Sequence, residues 1–76
     1  MRQNILPHAC VARLLALARL LRQNRPFTAP LLADQLGSCD RTLKRDIRLL
    51  RDLGWRIEWD PREATYTLMR APRPVL

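Results

Sequence analysis

Four cations stand close together in the second half of the chain: Arg41, Lys44, Arg45 and Arg48. On a helix, at about 100° per residue, they share one continuous arc about 100° wide. Leu43, Ile47, Leu50 and Leu53 fall on the opposite side and are expected to pack inward. The chemistry of such an arc is recognition of a polyanion. A guanidinium can bridge two acceptors on a guanine edge or hold a phosphate. An ammonium offers a point charge for a phosphate. Thr42, at the edge of the arc, could meet a thymine methyl or a phosphate. On an arbitrary helix the same run would be a solvated face, with Asp40 and Asp52 as its partners, so the elements around it decide.

No other residues assemble a reactive centre. Cys10 and Cys39 lie far apart and lack the spacing of a metal site, so they are expected to be reduced thiols. Cys39 as a redox switch at a helix N-terminus is the less favoured reading. His8 has no acid or nucleophile near it. Trp55, Trp59 and Tyr66 could stack on unpaired bases, but both tryptophans fall on one face of a strand, which favours core or an oligomer contact. No nucleophile is paired with a base, and no glycine loop suits a phosphate. The expectation is a binding protein with no cofactor and no metal, not an enzyme.

Composition agrees with a polyanionic partner. Of the 76 residues, 14 are basic, 13 of these being arginine, against 7 acidic, giving a net charge of +7. Nucleic acid comes first and an anionic membrane second. Arg13 and Arg19 interrupt the apolar N-terminal run, which excludes both a secretory signal and a spanning helix. A cytoplasmic protein is expected.

The elements that must position the arc follow from periodicity and breakers. Residues 7–24 read as a first helix, with Pro7 at its first position. Cys10, Val11, Leu14, Leu17, Ala18 and Leu21 form its inward stripe, and Leu15 and Leu20 lie on the flanks. Arg25-Pro26 breaks the pattern. Thr28 fits an N-cap for a short helix over 29–36, ended by Gly37. A third helix runs over 40–53, capped by Ser38 or Cys39 and ended by Gly54. The alternation from Trp55 to Asp60, the turn at 60–63 and the β-branched run Thr65–Met69 predict a hairpin. The fold class is α+β, mainly α: three helices and a C-terminal two-stranded hairpin within residues 1–70. Residues 71–76 form a proline-rich tail or the start of a linker. Helix, tight turn and helix is the unit that presents its second helix to DNA, with the hairpin as a wing.

The run Leu36-Gly37-Ser38-Cys39-Asp40-Arg41-Thr42-Leu43-Lys44-Arg45-Asp46-Ile47 resembles the DeoR-type winged helix-turn-helix, whose pattern reads roughly L-G-V-S-x-R-T-I-x-R-D-I. The likeness extends to Leu50, Gly54, Ile57 and Tyr66-Thr67-Leu68, covering about residues 8–69. The family consists mostly of bacterial transcription regulators. The resemblance implies that Arg41, Thr42, Lys44 and Arg45 lie in or beside the major groove. It also implies that Thr28 sits near a phosphate at a helix N-terminus, and that Asp46 has a structural role with an arginine or a backbone amide. Three features depart from the pattern. Ser38 and Cys39 replace valine and serine, the wing has Pro61, Arg62, Glu63 and Ala64 where glycines are usual, and the larger sensing domain usual in the family is not within these 76 residues, which leaves open an excised domain or a minimal protein. Arg62 at the wing tip could reach a phosphate or a minor groove, with Glu63 opposing it.

Sequence-specific binding of double-stranded DNA is therefore the expected function, with a homodimer through the first helix or the wing. The alternatives are a winged-helix protein-interaction module, for which Leu15, Leu20 and the tryptophans would matter more, and non-specific architectural DNA binding.

Overall fold

The computed structural model describes residues 8–72. Pro7, expected to open the first helix, lies outside them, as do residues 73–76 of the proline-rich tail. Helix α1 spans His8–Leu21, α2 spans Ala29–Leu36 and α3 spans Asp40–Asp52. Strand β1 is Phe27–Thr28, β2 is Arg56–Asp60 and β3 is Thr65–Arg70. The mainly helical winged architecture anticipated above is present.

Helix α1 ends earlier than expected. Two turn bonds, from Gln23 N to Leu20 O and from Asn24 N to Leu21 O, close its last turn, and Asn24 then adopts a left-handed φ of 57°. On α1, Leu17 and Leu21 are fully buried, whereas Val11 lies outside the core at 39% exposure. Helix α2 starts as its sequence dictates. The Leu31 N–H donates to Thr28 Oγ1 at 3.2 Å, and Pro30 occupies the first turn, where no amide is needed. Gly37 ends α2 in the left-handed region, at φ 62°, a conformation that costs little without a Cβ.

The sheet has three strands in the order β1-β3-β2, all antiparallel. The hairpin expected from the sequence is thus joined by a third strand, with Phe27 opposite Tyr66 and Thr28 opposite Thr65. Two residues are too short to show a period of two, so β1 exists only through its pairing with β3. It seats Phe27 in the core and fixes the base of the wing against the start of α2, where Ala29 N–H donates to Ala64 O at 3.1 Å.

The core joins all six elements. Leu17, Leu21, Leu32, Leu43, Ile47 and Leu50 pack from the helices against Phe27, Ile57, Tyr66 and Leu68 from the sheet. Leu53 is a correction to the helical wheel: α3 stops at Asp52, Leu53 is its C-cap, and the side chain is 66% exposed. A register shift opposite Arg56 and Ile57 leaves Met69 of β3 without a partner in the ladder. Trp55 precedes β2 and packs partly on the core, whereas Trp59 lies on the wing opposite Tyr66.

Candidate nucleic-acid interface

Helix α3 buries Leu43, Ile47 and Leu50 and leaves Arg41, Lys44, Arg45 and Arg48 exposed along one face. Asp46 is buried on the same side as these apolar residues. This carboxylate is 1% exposed and receives two hydrogen bonds from Arg13 on α1, Nε to Oδ2 at 2.5 Å and Nη2 to Oδ1 at 3.2 Å. The bond to Asp46 also raises the Arg13 pKa above its ordinary value. Asp46 is therefore committed inward, as expected, and does not weaken the positive field of the arc.

The N-terminus of α3 differs from the expectation. Cys39 is the N-cap, and its side chain makes no capping bond. Ser38 does not take over, since its Oγ is buried without a partner. Asp40 instead pairs with Lys44 one turn on, at 3.2 Å. The Cys39 thiol lies 3.3 Å from Thr42 Oγ1. Hydrogen bonding from the Thr42 side chain, and then from its backbone, holds the thiol below its usual pKa. Thr42 is consequently half-buried and turned toward Cys39. Among the described residues Arg41, Arg45 and Arg48 have no ion-pair partner. Three of the four cations are thus uncompensated, and the fourth is held by a pair of the exposed kind that contributes only a few tenths of a kcal/mol.

The remaining candidates lie off the arc. Thr28 is exposed at the head of α2, and its hydroxyl can still donate a proton while Oγ1 accepts from Leu31. Arg62 is exposed at the wing tip, on a turn closed by Asp60, whose Oδ1 accepts from the N–H of Arg62 at 2.9 Å and from that of Glu63 at 3.4 Å. The structure therefore brings four of the seven candidates onto one face, with Thr42 beside them and Thr28 and Arg62 on neighbouring elements.

A cleft of about 450 Å³ separates α3 from the wing, lined by Lys44, Ile47, Arg48, Arg51, Trp59 and Tyr66. Sequence reasoning did not single out Arg51. Its Nε and Nη2 donate to Ile57 O at 3.1 and 2.8 Å, which ties the end of α3 to β2. The rings of Trp59 and Tyr66 lie 4.7 Å apart and tilted by 49°. Their direct pairing across the hairpin was the available signal.

A family model described as "HTH domain" matches residues 13–64, more than half of the chain, and within it the α2–turn–α3 unit and the arc. The chain belongs to the helix-turn-helix domain family. Such a domain is a DNA-binding unit of the kind found in transcription regulators, and the family is typically non-enzymatic. DNA is thus the partner class of this HTH domain. No curated protein and no solved structure matches it significantly. Among its described residues no helix is long and apolar enough to cross a membrane.

Proposed function

We propose that this HTH domain binds double-stranded DNA sequence-specifically, as the DNA-reading part of a DeoR-type bacterial transcription regulator. Helix α3 enters the major groove, with Arg41, Lys44 and Arg45 at base edges and Thr42 at the groove margin. Arg48, Thr28 and Arg62 hold phosphates. The domain acts as a dimer on a repeated half-site, because one short helix reads few base pairs, and it works in the bacterial cytoplasm on the nucleoid.

The observation that supports this reading best is the row Arg41, Arg45 and Arg48, exposed and without ion-pair partners among the described residues, on a helix that buries Leu43, Ile47 and Leu50 on its other side. A face that only had to be soluble would tolerate interspersed carboxylates, yet the single acid within the helix's cationic stretch, Asp46, is turned inward. The test is duplex binding by Arg41→Ala and Arg45→Ala. Each is expected to weaken specific binding by about 1–3 kcal/mol, and Arg48→Ala to lower the salt slope by about 1. Unchanged affinity in both arginine variants would contradict this docking.

A further inference from the structure

The wing borders two grooves of opposite character. Toward α3 its cleft is lined by Lys44, Arg48 and Arg51 and by no acid. A second groove of the wing, of about 470 Å³, has apolar lining from Pro26, Pro61 and Met69 and from Trp59, which also borders the α3 cleft. Its charged lining is acidic, from Glu58, Asp60 and Glu63, with no arginine or lysine. On a chain with 14 cations and 7 acids this segregation is unusual. Trp59 is 42% and Met69 55% exposed. One of the Asp60 oxygens is engaged by the wing turn. Glu58 has only a distant approach to Arg56, at 3.8 Å.

Helix α1 carries the complementary surface. Val11, Leu15, Arg19 and Arg22 follow one another at spacings of four, four and three, which places them in a single row on the helix. All four are exposed, Leu15 at 62%. Arg22 N–H donates to Ala18 O at 3.0 Å, so the helical path reaches it. The row is apolar at one end and cationic at the other, and no acid occurs between His8 and Arg25. Neither surface includes a residue of the α3 arc.

We propose that α1 of one copy docks in this second wing groove of the next, with Val11 and Leu15 against Trp59 and Met69, and Arg19 and Arg22 against Glu58 and Glu63. The contact joins two different patches, so it is head-to-tail rather than two-fold. Successive copies then face the same way along the duplex and read directly repeated half-sites. A net charge of +7 repels free copies from one another, and the phosphates of a shared duplex offset that repulsion. Association is therefore templated by DNA, and the inference rests on the duplex-binding reading above.

The test compares the full chain on two mixed-sequence duplexes, one of about 15 bp that admits a single copy and one of about 40 bp that admits several, with a helical turn of about 10.5 bp. On the long duplex the second copy is expected to bind about tenfold tighter than the first. Arg19→Glu with Arg22→Glu should abolish this cooperativity, as should Glu58→Lys with Glu63→Lys. The four substitutions together keep the parent's net charge and should restore it. Single-copy binding to the short duplex reports the DNA reading by itself, and its absence would sink that reading and the inference with it. Intact single-copy binding without cooperativity, cooperativity that survives either one-sided change, or no recovery in the fourfold variant would overturn the head-to-tail contact alone.

Discussion

Arg13 on α1 and Asp46 on α3, 33 positions apart, meet through two hydrogen bonds at the buried edge of the candidate interface. Asp46 is the only acid among the described residues that is buried, and it lies on the same side of α3 as the buried Leu43, Ile47 and Leu50. The pair thus links packing to function: it joins α1 to the inward side of the helix that exposes Arg41, Arg45 and Arg48.

Removing Arg13 should therefore be costly. Arg13→Ala leaves a buried carboxylate without its partner and is expected to lower the unfolding free energy by about 3 kcal/mol. The double variant Arg13→Ala, Asp46→Ala removes the stranded charge and should be less destabilised than Arg13→Ala alone. Urea unfolding of both variants measures this, and the opposite ranking would show that the pair does not hold α3.

The two helix caps should respond in opposite directions. Thr28→Ala loses the bond to Leu31 N and should cost about 1 kcal/mol, whereas Cys39→Ser introduces an oxygen where the thiol caps nothing and should add up to about 1 kcal/mol. Thermal unfolding of the two variants checks the signs. An unstabilised Cys39→Ser would mean that the Cys39–Thr42 contact already does the work of a cap.

Much of this arrangement was legible in the sequence because it depends on local rules. Thr28, Pro30 and Gly37 punctuate α2 through backbone chemistry that acts within a few residues. The arc on α3 follows from helical spacing alone. Other features depend on partners remote in sequence. Strand β1 is created by β3, and the choice of Arg13 for Asp46 requires α1 and α3 to have docked. Leu53 was misplaced because a wheel continues a helix past the residue where the chain leaves it.

The thiol at the head of α3 offers a pH readout. Hydrogen bonding from Thr42 favours the thiolate of Cys39 and lowers its pKa. Cys39, exposed, should be alkylated faster than half-buried Cys10. Thr42→Val removes the hydroxyl, so the midpoint of the Cys39 rate-against-pH curve should move up. Iodoacetamide kinetics followed by mass spectrometry test this, and an unmoved midpoint would exclude the Thr42 hydroxyl as the cause.

Arg51 should act on the wing rather than on DNA alone. Its two bonds to Ile57 O fasten β2 to the end of α3. Arg51→Ala is expected to cost about 1.5 kcal/mol and to speed amide exchange in β2 and β3 more than in α1. Uniform acceleration across the domain would show that the anchor is not local to the wing.

The most direct test of the central claim, that α3 reads duplex sequence, is selection of bound duplexes from a random pool by the 76-residue chain at physiological salt. The account predicts recovery of a motif that disappears when Arg41 and Arg45 are both replaced by alanine. Binding without any enriched sequence, or a motif that survives that double replacement, would contradict it.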